Sequence, residues 1–133
     1  MEREWINIKE IGQLYLEKIL VSLNIPILFV CHNSEDKKYL CLNINDETGE
    51  AIIALTNNSF LIDMLQKRIT MEEIFRKSLD NDIIIAVYDY ENEEIISKRE
   101  KAEILSKDKL PKKGEYFDFC SKEIDEYLSC LKI

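Results

Sequence analysis

The sequence predicts an α+β domain: an antiparallel meander sheet of about five or six strands, two short helices in the middle, and a C-terminal amphipathic helix. Three observations carry this reading. Short runs of β-branched and aromatic residues recur between polar turn segments, as hairpin-linked strands do. Behind N-capping residues in the middle of the chain, apolar residues repeat at helical spacing. Near the C-terminus, Cys120, Ile124, Tyr127, Leu128 and Leu131 fall on one helical stripe.

Taken in order, the first 24 residues are compatible with two patterns. Ile8, Ile11, Tyr15 and Ile19 stand at helical spacing, whereas Leu14 to Leu23 also reads as a strand with a local irregularity, and the strand is preferred. Ile27 to His32, Tyr39 to Asn43 and Glu50 to Leu55 form three further strands. They are joined by the polar segment Asn33–Lys38 and by Asn45-Asp-Glu-Thr-Gly49, where Gly49 can adopt the left-handed conformation a tight turn needs. Pro26 stands at the head of its run, where no ladder hydrogen bond is lost. Thr56-Asn-Asn-Ser59 supplies N-cap candidates for a helix carrying Phe60, Leu61, Met64 and Leu65. Thr70-Met-Glu-Glu73 is a capping box opening a second helix with Ile74 and Phe75. Asp80-Asn-Asp82 ends it, and Ile83–Tyr88, apolar on both faces, reads as a central strand. Beyond Tyr90 the pattern weakens. Ala102–Ile104 and Tyr116–Phe117 are expected as edge strands around the Leu110–Gly114 turn.

The chain has 133 residues, 46% apolar and 33% charged, with 3 Gly and 2 Pro. That suits one domain, residues 1–133, with a single core, and excludes collagen-like, linker-like and disordered chains. Its longest apolar run, Ile25–Cys31, has seven residues, against the ~20 that cross a bilayer. The acidic, polar N-terminus is unlike an export signal. A cytoplasmic location without membrane binding is therefore expected, with the thiols of Cys31, Cys41, Cys120 and Cys130 reduced and buried as small hydrophobes. Cysteine gaps of 10, 79 and 10 residues do not form the tight knuckles of a zinc site, so no metal is expected.

No phosphate loop, nucleophile elbow, H-E-x-x-H or C-x-x-C is present. His32 is the single histidine. It reads as a surface or hydrogen-bonded strand end, because Cys31 beside it points to the opposite face. Paired carboxylates such as Glu72/Glu73 and Glu93/Glu94 lie in polar, solvated segments. The chain is therefore read as a non-enzyme without catalytic residues or cofactors.

Charge is unevenly distributed. With 18 bases and 26 acids the net charge is −8, which repels nucleic-acid phosphates and argues against general nucleic-acid binding. From Leu79 to Ser97 there are six acids and no base, whereas Lys98 to Lys113 holds seven bases and three acids. One reading is a solvated hairpin whose halves neutralise each other. The functional reading makes Asp80, Asp82, Tyr88, Asp89, Tyr90, Glu91, Glu93 and Glu94 the contact for a partner protein with a basic surface, since acidic faces steer such encounters. The alternative is an anionic, nucleotide-like small molecule held by Arg99, Lys101, Tyr116 and Phe117. Met1 to Ile8 with Trp5 is a further contact candidate, although Trp5 is expected to fold back on the core. A homo-oligomer that completes the sheet is also open.

Pro26-Ile-Leu-Phe-Val-Cys31, Tyr39-Leu40, Ile69-Thr70 with Phe75, and Leu110-Pro-Lys-Lys-Gly-Glu-Tyr116 together resemble an uncharacterised family of small bacterial and phage domains. The resemblance spans roughly residues 11 to 117 and implies domain limits and a sheet with helices, but no activity. The Lys/Ile/Asn/Glu-rich composition resembles that of low-GC bacteria and their phages. The expected function is a small acidic binding protein of bacterial or phage conflict, immunity or counter-defence, that occludes a basic surface of a partner.

Overall fold

The computed structural model describes residues 3–133. Seven strands form one antiparallel sheet: β1 (Arg3–Ile8), β2 (Gly12–Leu23), β3 (Ile25–His32), β4 (Lys38–Asn45), β5 (Glu50–Thr56), β6 (Asp82–Asp89) and β7 (Glu94–Lys101). Their spatial order is their sequence order. Between β5 and β6 lie helices α1 (Asn58–Leu65) and α2 (Met71–Arg76), and α3 (Lys122–Leu131) closes the chain. Among the described residues, no helix is long and apolar enough to cross a membrane.

The expected α+β class is corrected by this architecture. Roughly 42% of the chain is strand and 21% helix, and the sheet curls into a half-barrel, so the fold is mostly β. Curling is what removes the need for a second helical layer. Register shifts interrupt the β1–β2 pairing between Glu4 and Ile6 and the β2–β3 pairing at three places from Leu16 to Ser22. Such bulges bend a strand and increase its twist. The concave face then packs on itself, with Ile8, Leu14, Phe29, Cys31, Tyr39, Cys41, Ile53 and Ile84 in one apolar cluster. On the convex face Val30, Leu40, Ile52, Ile83 and Ile85 are covered by Leu61 and Met64 of α1, Phe75 of α2, Ile124 of α3 and Phe117. Both faces of β3 to β6 are thereby dry, which accounts for their uninterrupted apolar runs.

Several expectations hold at residue level. The strand preferred over Leu14–Leu23 lies within β2. Asn57 caps α1, its side chain accepting from the Phe60 amide at 2.8 Å. The capping box is complete: Thr70 Oγ1 accepts from the Glu73 amide, and Glu73 Oε1 accepts from the Thr70 amide, both at 3.1 Å. Trp5 packs edge-on against Phe29, with ring centroids 4.7 Å apart, while Met1 and Glu2 of that candidate contact lie outside the described residues.

Others are corrected. Ile83–Tyr88 is an interior strand, but it stands next to last in the sheet, and the edge is β7, in the segment where the sequence pattern weakens. Neither Ala102–Ile104 nor Tyr116–Phe117 is a strand. Their backbone is held by α2 instead: Arg76 Nη1 donates to the carbonyls of Ala102 (2.8 Å) and Leu105 (2.9 Å), and the Glu115 carbonyl accepts from the Met71 amide at 3.0 Å. Cys31 and Cys41 are buried as expected, but Cys120 and Cys130 are exposed.

Candidate functional site

The strands run between two ends of the half-barrel, and chemistry-bearing side chains gather at each. At one end the β4–β5 and β6–β7 turns lie side by side. Gly49, at φ +66°, allows this: a methyl group there would sit 3.0 Å from Tyr88 Cβ and 3.6 Å from the Tyr90 hydroxyl. Tyr88 and Tyr90 meet edge to face at 4.7 Å, and Tyr90 is 63% exposed. Around them are Asp46 and Glu47 from one turn and Glu91, Glu93 and Glu94 from the other. Neither stretch 39–66 nor stretch 78–97 contains a Lys or Arg, and none of these five carboxylates has an ion-pair partner among the described residues. Asp89 is used internally. Its side chain accepts from the Glu91 amide (3.0 Å) and from Asn92 Nδ2 (2.8 Å), and the Asn92 hydrogen bond leads in holding its carboxyl below the usual range.

At the opposite end, Asp80 and Asp82 are tied to the very bases that follow them in sequence. Arg99 donates to Asp80 Oδ2 at 3.2 Å and to Glu10 Oε2 at 3.1 Å, and lies 3.7 Å from Asp82. Lys101 lies 3.2 Å from Asp82. Burial alone would push the Asp80 carboxyl up. Hydrogen bonds from Ser78, the Asp82 amide and Arg99 outweigh it, and the net direction is down.

Of the eight residues expected to contact a partner protein, the structure thus gathers Tyr88, Tyr90, Glu91, Glu93 and Glu94 at one exposed end, with Asp89 beneath them. Asp80 and Asp82 are carried to the other end, roughly 25 Å away at ~3.3 Å per strand residue. Neutralisation within the hairpin, the bland alternative, is therefore realised at its base and not at its tip. The four residues expected around an anion are not brought together. Phe117 is 1% exposed in the convex-side core, Tyr116 is 48% exposed beside it, and Arg99 and Lys101 are engaged by carboxylates on the sheet edge.

Two arrangements had no sequence signal, because both depend on bulged register. Glu17 of β2 reaches the convex side beneath α3. There its Oε2 accepts from Tyr127 (2.5 Å) and Lys38 Nζ (2.9 Å), and its Oε1 lies 3.2 Å from His32 Nδ1. Burial raises the Glu17 carboxyl, yet the hydrogen bonds from Tyr127 and Lys38, with the Lys38 and His32 charges, bring it below its ordinary value. Burial, and then the bond to Glu17, push the Tyr127 phenol strongly up. Among the described residues no three His, Cys, Asp or Glu side chains form a metal-binding group. The second arrangement is a cavity of about 470 Å³ at the open end of the concave face, between the β1–β2 turn, the β3–β4 turn and β7.

Comparison with family models, with curated proteins and with solved structures finds no match for this chain.

Proposed function

We propose that the protein is a non-enzymatic binding domain that docks on a basic surface of a partner protein through the acidic end of its sheet. One observation carries this reading: two abutting hairpin turns gather Asp46, Glu47, Glu91, Glu93 and Glu94 beside the exposed Tyr90, none of the five with an ion-pair partner among the described residues, while Lys109 at this end is held by Glu50 at 3.0 Å. Uncompensated carboxylates steer a basic partner and speed its encounter. An amphipathic aromatic at the centre of such a patch supplies contact area at low entropic cost. The hairpin backbone holds the patch in place, because Asp89 pins the β6–β7 turn and Gly49 lets the neighbouring turn press against it. In the bacterial or phage setting that the composition resembles, covering a functional basic surface would make the protein an inhibitor, in immunity or counter-defence.

The test is native mass spectrometry of the protein recovered from its own host at low salt, alongside the triple variant Glu91→Lys, Glu93→Lys, Glu94→Lys. A stoichiometric protein partner that is retained by the wild type and lost with the triple variant is expected. Recovery of the same partner by both proteins, or of a bare chain by the wild type, would overturn the reading.

A further inference from the structure

We propose that the N-terminus of α1 binds a phosphate group, free or as a small monoester, in the recess it shares with the β3–β4 turn. The inference does not rest on the acidic hairpin turns, which lie at the other end of the strands.

The first observation is a pair of backbone donors. Asn57 caps α1 by accepting the Phe60 amide on its side chain at 2.8 Å and the Leu61 amide on its carbonyl at 3.0 Å. The amides of Asn58 and Ser59, one step nearer the start, have no acceptor among the described residues. Helix geometry aims such amides out of the N-terminal end, where the positive pole of the helix dipole also lies. No acid stands in the first turn of α1 to answer that pole. An oxyanion is the group that uses both features at once.

The second observation is independent of the helix. Thr56, one residue before the cap, is 4% exposed and lines the recess with Asn57 and Asn58. Its Oγ1 is buried and has no hydrogen-bond partner. Thr56 continues the row of Ile52 and Ala54, so its side chain is on the face of the sheet that α1 covers. A buried hydroxyl is seldom left without a partner. Here it stands beside two amides in the same condition, and a phosphate oxygen accepts from all three.

The third observation is the lining of the recess, which holds about 430 Å³. Lys37 and Lys38 line it against one acid, Asp36. Lys38 is committed to Glu17 at 2.9 Å. Lys37 lies 3.7 Å from Glu35 with both side chains more than half exposed, a loose surface pair from which the ammonium can turn to a ligand. Leu55 and the exposed Leu79 supply apolar ground for the alcohol part of an ester.

The experiment is a titration of the full ¹⁵N-labelled chain with inorganic phosphate and with n-butyl phosphate, ionic strength being held constant with NaCl. Saturable downfield shifts of the Asn58 and Ser59 amides are expected in the wild-type protein, independently of any variant. Tighter binding of butyl phosphate would assign the monoester, and equal affinity the free anion. Thr56→Val, which keeps the shape and removes the hydroxyl, should weaken binding ~5-fold. Asp36→Asn, which removes the like charge, should tighten it ~2-fold, and the triple hairpin variant should leave it unchanged. Shifts that do not saturate, that chloride alone reproduces or that bypass Asn58 and Ser59, or a folded Thr56→Val protein of wild-type affinity, would each overturn the proposal.

Discussion

Individual residues decide how closely the two turns approach and how α3 is held. Gly49 combines a left-handed backbone with a contact that leaves no room for a Cβ. Gly49→Ala should cost about 1–2 kcal/mol from the backbone conformation alone, and more from the Tyr88 contact; urea denaturation of the two proteins measures it. Glu17 offers a test through pH. Its folded-state pKa lies below its ordinary 4.5, so the stability it contributes is fully present above that value. It is lost as pH falls through the lower, folded-state pKa. Glu17→Gln should therefore destabilise the protein at pH 7 by about 1–3 kcal/mol, and the deficit should shrink as the pH falls below 4.5. Parallel urea titrations at pH 7 and pH 3 would show it, and an equal deficit at both would contradict the assignment.

Elements differ in how much of them was legible. Both caps, the capping box of α2 and the apolar stripe of α3 could be read directly, because capping is a contact between residues three apart and needs no tertiary knowledge. The interior strands were legible too, since burial on both faces leaves continuous apolar runs. β7 was not. Its sequence, Glu-Ile-Ile-Ser-Lys-Arg-Glu-Lys, follows the rule for a guarded sheet edge, where charge protects unpaired backbone, and such a strand resembles a loop. The cavity was hidden for a related reason. Tyr39 was visible only as a strand residue, and its neighbours Glu10, Asp80 and Arg99 meet it through the bulges of β2 and the curl that follows. The placement of α3 also makes a prediction. Ile124 and Leu131 are its buried anchors, and Ser121 accepts from the Ile124 amide at 3.1 Å. Ile124→Ala should cost about 2–4 kcal/mol, and hydrogen exchange should quicken first in α3 while β3 to β6 stay protected.

For the molecule as a whole, the uneven charge should be felt in its stability. The net charge is −8 and the sequence pI about 4.8, and the hairpin end concentrates five carboxylates without ion-pair partners among the described residues, although Lys109 offsets Glu50 there. Added salt screens that repulsion, so the melting temperature should rise by a few degrees between about 20 and 500 mM NaCl. The triple substitution Glu91→Gln, Glu93→Gln, Glu94→Gln should melt higher at low salt and respond less to its addition, as differential scanning calorimetry would show. Equal salt responses would mean that the end is not under electrostatic stress.

The uncrossed strand order has a consequence for how the protein is made. Each strand from β2 to β7 pairs with the one synthesised just before it, across a short turn or, between β5 and β6, across two small helices. During translation a strand leaving the ribosome finds its partner already outside, so the sheet can grow by addition at one edge. The convex side must wait, because Phe117 and α3 follow all seven strands in the chain. The segment from Phe117 through α3 therefore acts as a cover laid over an apolar surface after the sheet has emerged, and a ribosome stalled before Phe117 would present that surface to chaperones.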